Sequence, residues 1–333
     1  MLKTKNLKWR DIKMTEIRLE RLVTHFAQCN QAEGKSPKTV HWYSQMLTDF
    51  IKFLNKQGVR DSLAEFNSEN VRAFIVAEQN RGLSPFSVQG KVRSLKAFSS
   101  WLTREAYTPE NALIHVPLPK VPTKVIQPLT DIEIGQLLSV RNPLTAIGSR
   151  DIAILITLLG TGIRESEIAD LRYEDAHINE GYLKVMGKGA KERVVPTGSL
   201  GQKILWRYVF HFRPEPINDL NNCLFLSLDG RKLAPNAIRL LMARWGKRAG
   251  VTRLHCHLCR HTYATNFLLL NCGDVFRLQQ ILGHTTLDMV RHYVHYASAE
   301  AMIQGQVRSP VDRLEVKQLR GYKLDRTLAI RRS

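Results

Sequence analysis

Apolar positions along the chain recur first at the three-to-four spacing of amphipathic helices. From Thr15, the positions Leu19, Leu22, Val23 and Phe26 share one face. Gly34-Lys35-Ser36-Pro37 ends that helix and starts the next, with Ser36 as cap and Pro37 in the first turn, where a missing N–H costs nothing. Val40, Tyr43, Leu47, Phe50 and Leu54 then form a second stripe, and Asn67-Ser68-Glu69-Asn70 caps a helix carrying Val71, Phe74 and Ile75. The helix start repeats at Gly82-Leu83-Ser84-Pro85, ahead of Val88, Val92, Leu95, Phe98 and Leu102. This predicts a unit of four or five helices ending near Ala112. Lys38, Lys91, Arg93 and Lys96 fall on its polar positions, either as a solvated face or as part of a ligand surface.

The pattern breaks at VPLPKVPTKVIQP, whose prolines forbid a regular helix and favour an extended connector. Its lysines, Lys120 and Lys124, are suited to following a phosphate backbone. A second unit opens at Leu129-Thr130-Asp131, and an apolar helix runs from Arg150 to Leu159 and stops at Gly160-Thr161-Gly162. Alternation then predicts two strands, Tyr182 to Met186 and Glu192 to Pro196, around a glycine-bearing hairpin turn. Gln202 to Phe212 reads as a helix and Leu224-Phe225-Leu226 as a short buried segment. Ala234 to Ala249 is a helix closed by Gly250 and studded with Arg239, Arg244, Lys247 and Arg248, a candidate groove-facing stripe. The fold class is therefore mainly α with a small β-sheet.

Charge narrows the range of functions. In 333 residues, 49 Lys and Arg face 30 Asp and Glu, a formal net charge of +19. Such an excess repels itself in a compact fold and is best matched by a polyanion, with nucleic acid ahead of an anionic membrane. No apolar run approaches the ~18 residues of a membrane span, and no secretory signal is evident at the N-terminus. Five cysteines without a secretion signal suit reduced thiols in the cytoplasm. Cys256 and Cys259, beside His255 and His261, make half of a zinc pattern, and the second half is missing.

The candidate chemistry lies between His257 and Tyr293. His257-Leu258-Cys259-Arg260-His261 begins the stretch, Leu282-Gly283-His284 follows an apolar segment, and Tyr293 comes nine positions after His284. Upstream stand Arg164-Glu165-Ser166-Glu167, directly after the double-glycine stop, and Gly187-Lys188-Gly189 in the hairpin turn. Each of these alone is unremarkable: an Arg and a Glu three apart form an ordinary helix pair, and a hairpin lysine is usually just solvated. Their joint order and spacing resemble the tyrosine recombinases, or phage integrase family.

That resemblance implies an N-terminal helical core-binding domain over 13–115, a linker over 116–128, an α+β catalytic domain over 129–308 and a basic tail over 309–333. It implies a catalytic set of Arg164, Lys188, His257, Arg260, His284 and Tyr293, with Glu167 in support. Lys191 competes with Lys188, and Tyr296 with Tyr293. Cys259 departs from the commoner aliphatic residue. The implied activity is site-specific recombination through a 3′-phosphotyrosyl link and a Holliday junction, with no metal, ATP or other cofactor. The implied partners are duplex DNA with inverted half-sites, a homotetrameric synapse and accessory proteins, with Ala299 to Gln306 docking on a neighbouring protomer. The tail residues Arg313, Lys317, Arg320, Lys323, Arg326, Arg331 and Arg332 have no assigned role. Two alternatives stand beside this: a non-catalytic architectural or regulatory DNA-binding protein, and a topoisomerase or telomere resolvase with the same chemistry.

Overall fold

The computed structural model describes residues 17–122, 126–187, 191–218, 222–270, 274–283, 286–287, 290 and 293–294. Lys188, His284, Tyr296, Ala299 to Gln306 and the basic tail lie outside the described residues. The chain divides into two compact units after Lys124.

The first unit holds α1 (Leu19–Ala32), α2 (Pro37–Lys56), α3 (Ser68–Asn80) and α4 (Pro85–Arg104), with a 3-10 turn at Leu63–Glu65. The repeated Ser-Pro starts behave alike. Ser36 Oγ accepts from the Thr39 amide at 3.3 Å and Ser84 Oγ from the Ser87 amide at 3.2 Å, each with proline in the first turn. Asn67 caps α3 through the Asn70 amide at 2.9 Å. Inside, aromatic rings meet edge to face, with centroids 5.1 Å apart for Phe66 and Phe98 and 5.5 Å for Phe50 and Phe74.

One expectation fails here. Lys91 is neither on a solvated face nor on a ligand surface: it is 7% exposed, and its Nζ lies 2.5 Å from Asp49 Oδ2 and 2.8 Å from Glu78 Oε2. Its position faces α2 and α3, and the two carboxylates offset the loss of water around a buried ammonium. Lys96 also turns inward, donating to the carbonyls of Leu113 and Val116 at 2.7 Å each. It thereby folds the segment after α4 back onto that helix.

The second unit contains α5 (Asp131–Ser139), α6 (Ala146–Thr161), α7 (Glu165–Asp170), β1 (Ala176–His177), β2 (Tyr182–Met186), β3 (Glu192–Pro196), α8 (Gly198–Arg207), α9 (Pro235–Arg248), α10 (Cys256–Leu270) and α11 (Val275–Leu282). The three strands form one antiparallel sheet in the order β1-β2-β3. The two-residue strand β1 was not expected, being too short to show alternation. Helix α6 starts at Ala146 rather than Arg150 because Thr145 caps it, its Oγ1 accepting from the Gly148 amide at 3.1 Å. The single helix expected over Gln202 to Phe212 starts earlier, at Gly198, and its last five residues are π-helical.

The core gathers on α6, where Ala153, Ile154, Leu155 and Leu158 are fully buried against α10, β3 and α8. Residues 126–130 are tied down beside α10. Arg253 donates to the carbonyls of Gln127 and Pro128 at 2.6 and 2.8 Å and to the Glu133 carboxylate at 2.6 and 2.9 Å, and His261 Nε2 bonds the Ile126 carbonyl. That pairing holds the Glu133 carboxyl down at about 2. No helix among the described residues is long and apolar enough to cross a membrane.

Candidate active site

The site is built where three helix ends meet one strand. Helix α6 ends on Gly162 in the left-handed conformation at φ 64°. A β-carbon there would come within 2.5 Å of the Tyr263 ring and 2.9 Å of Leu282, so the turn admits only glycine. Two residues later Arg164 stands at the start of α7. Glu167 reaches back from the first turn of that helix, accepting the Arg164 amide at 2.8 Å through Oε2 and the Arg164 guanidinium at 2.7 Å through Oε1. The Arg-x-x-Glu spacing is therefore a helix-start device that also fixes a guanidinium.

Glu167 is 6% exposed, and burial alone would raise its pKa. Hydrogen bonds from Arg193 and from the Arg164 backbone outweigh that and hold it below the ordinary value. Arg193 meets the same carboxylate with both terminal nitrogens, at 3.0 and 2.7 Å. Its Nε donates to the Ile281 carbonyl at 2.7 Å, at the end of α11.

Arg260, one turn into α10, is 4% exposed. It donates to the Gly162 carbonyl at 2.7 Å and the Leu282 carbonyl at 2.8 Å. Arg164 shares the Leu282 carbonyl at 3.5 Å. Burial pushes the Arg260 pKa down to about 10; nearby Arg164 adds to this, while Tyr293 and Glu167 oppose it. The group stays cationic at neutral pH.

His257 lies in the first turn of the same helix, three residues before Arg260, and is exposed. Desolvation lowers its pKa below 6.5, Glu165 opposes this, and Arg260, His255 and Arg164 reinforce it. The ring is therefore neutral at pH 7 and able to accept a proton. Tyr293 is half-buried on the cluster of Ala264, Leu268, Leu278, Leu282 and Val290, with its ring 5.2 Å from that of His261.

The structure thus brings together Arg164, Glu167, His257, Arg260 and Tyr293. Lys188 and His284 lie outside the described residues, but the glycines before them do not: a β-carbon on Gly187 would be 4.0 Å from Glu167 Oε1, and Gly283 caps α11 at φ 64°. Cys256 and Cys259 are buried, and burial raises both thiols, Cys256 to about 12.

Sequence reasoning passed over Arg193 and gave His261 no part in the site. The signal for Arg193 was present, because β3 alternates and position 193 shares the inward face with Val195. In the sheet, Arg193 pairs with the buried Val185, and Val195 with the buried Leu183. An arginine on the buried side of a strand needs a reason, and Glu167 supplies it.

Comparison with known proteins identifies the family. The phage integrase family matches residues 127–300, and the N-terminal SAM-like domain of phage integrases matches residues 24–106. The chain belongs to the phage integrase family, the site-specific tyrosine recombinases. It is 35% identical over 283 residues to the tyrosine recombinase XerC of Oceanobacillus iheyensis, covering 83% of this chain and 92% of that one. The XerD recombinase of the same organism is 27% identical over 278 residues, with the same coverage. In fold the chain is similar to the XerH site-specific recombinase, solved bound to a palindromic difH substrate as a post-cleavage complex. The TM-score is 0.67 at 18% identity, over 90% of this chain and 92% of that one.

Proposed function

We propose that this recombinase cuts and rejoins DNA strands through a tyrosyl intermediate, using Arg164, Lys188, His257, Arg260, His284 and Tyr293. The observation that carries the reading is the convergence of Arg164 and Arg260 on the Leu282 carbonyl, beside the ring of Tyr293. Two guanidiniums held by carbonyls and one carboxylate form a fork for the non-bridging oxygens of a phosphodiester.

In the proposed reaction the Tyr293 oxygen attacks phosphorus. The bond to the 5′-oxygen breaks, and a 3′-phosphotyrosyl link conserves its energy, so resealing needs neither ATP nor a metal. Neutral His257 takes the phenolic proton, Lys188 protonates the departing 5′-oxygen, and His284 donates a hydrogen bond to the phosphate. Glu167 holds Arg164 in place.

The N-terminal helical unit would grip one side of the duplex while the exposed Arg239, Arg244, Lys247 and Arg248 of α9 face DNA. Two protomers on inverted half-sites and a tetrameric synapse would exchange strands through a Holliday junction, in the cytoplasm and with accessory proteins where the site requires them. Similarity to both XerC and XerD fits a chain that works with itself or with a related partner.

A nicked half-site duplex tests the reading, because loss of the short leaving strand traps the covalent complex. The full-length protein should form an adduct that survives denaturant, and Tyr293→Phe should bind the same DNA without forming one. An adduct retained by Tyr293→Phe would move the nucleophile, with Tyr296 the next candidate.

A further inference from the structure

The reaction as written needs the Tyr293 oxygen in line with phosphorus, and apolar contact alone gives a ring no direction. Tyr293 rests on Leu268, Leu278, Leu282 and Val290. Its ring also meets that of His261, with centroids 5.2 Å apart and planes tilted by 45°. That separation is within the range at which ring pairs contribute beyond the area they bury.

His261 is itself held. It is 6% exposed, and its Nε2 bonds the main-chain carbonyl of Ile126. Burial lowers its pKa below 6.5, the Ile126 carbonyl opposes this and Arg253 reinforces it, so the ring is neutral at pH 7 and carries one proton. A carbonyl only accepts, which puts that proton on Nε2. The main chain around Ile126 is fixed in turn. The carbonyls of Gln127 and Pro128 accept from Arg253 at 2.6 and 2.8 Å, and the Leu129 amide donates to Thr262 Oγ1 at 2.9 Å. Residues 126–129 thus form a strap beside α10, and His261 joins that strap to the ring of Tyr293.

We propose that His261 is a positioning residue for Tyr293. Through Nε2 it takes its place from the strap at Ile126, and through its ring it holds the phenol at the angle from which oxygen reaches phosphorus. It has no proton to move and no phosphate to bind in this role. The proposal rests on Tyr293 being the nucleophile, and the experiment separates the two ideas.

The test compares cleavage with resealing. Before attack the phenol is held by its neighbours; once the phosphotyrosyl bond exists, that bond holds it. A residue that only positions the free tyrosine therefore acts on cleavage and not on resealing. One that supports the phosphate-binding arginines acts on both, because the two directions share a transition state. On a nicked half-site saturated with full-length protein, His261→Ala should form the adduct about 10²-fold more slowly, the scale of a reacting group displaced by an ångström. Its preformed adduct should reseal onto a strand with a free 5′-hydroxyl at close to the parent rate.

His261→Phe keeps a ring and loses the bond to Ile126. It should show a smaller deficit in cleavage, again without one in resealing, and it carries the comparison if His261→Ala fails to fold. Thr262→Val loosens the same strap at Leu129 and should cleave near the parent rate. Equal slowing of cleavage and resealing by the His261 variants, or slowing by Thr262→Val as large as theirs, would make His261 a support of the fold and overturn the proposal. Parent-rate cleavage by His261→Ala also overturns it. An adduct retained by Tyr293→Phe removes the nucleophile and the proposal with it, whereas its loss there beside full-speed His261→Ala removes the proposal alone.

Discussion

Both units of this recombinase bury cations, and they treat them differently. In the helical unit, buried Lys91 meets Asp49 and buried Glu78, and Arg81 reaches Glu78 from the exposed side, two positive groups against two negative ones. In the catalytic unit, Arg164 and Arg193 share the single carboxylate of Glu167, while Arg260 is bonded to the main-chain carbonyls of Gly162 and Leu282. The first cluster is neutral and completes a core. The second carries net positive charge beside a tyrosine, and a low-dielectric surrounding magnifies its attraction for an anion. Burial of charge is common to both clusters; the imbalance of charge is what sets the proposed site apart.

The sharpest way to break this contrast is to remove one cation from each cluster. Arg260→Ala should slow covalent trapping of nicked DNA by ~10³-fold, the scale of losing one preorganised donor to the transition state. DNA affinity should change far less, since one buried guanidinium among 49 Lys and Arg adds little to the attraction for a polyanion; a matching collapse of affinity in a gel-shift titration would make Arg260 a binding residue instead. Lys91→Ala should do the reverse. It removes the partner of Asp49 and leaves the buried Glu78 with only the exposed Arg81, and should cost about 3 kcal/mol in urea unfolding, the low end of the range for breaking a buried pair. Cleavage by the folded fraction at low temperature should stay near the parent rate.

A smaller effect concerns pH. The folded-state pKa of His257 is lowered, so the ring is neutral at pH 7 and gains its proton only below 6.5. Cleavage should therefore hold level near pH 7 and decline as pH falls through the depressed value. His257→Asn should be slow throughout and lose that acid limb. A parent rate that keeps rising between pH 7 and 9 would instead point to a base with a raised pKa.

Much of this molecule could be read from its sequence. Four helices of the first unit follow from one apolar stripe each and from caps at Ser36, Asn67 and Ser84, because helix starts and faces are local properties of a few neighbouring residues. The ends of β2 and β3 followed from alternation around a glycine-bearing turn. Arg164, Glu167, His257, Arg260 and Tyr293 could be picked out because their spacing resembles a family, although no single pair stood out.

Other features depended on tertiary contact. Lys91 and Lys38 look alike in the sequence, and only the approach of Asp49 from α2 and Glu78 from α3 decides that Lys91 goes inward. Arg193 looks like one more strand arginine until Glu167, Ile281 and two glycines from distant segments close around it. The sequence by itself determined the helices of the first unit and the two strands of the hairpin, since those depend on short-range periodicity and spacing. Which cations are neutralised and which remain to meet a phosphate was decided by the fold alone, because a charge is balanced by its neighbours in space.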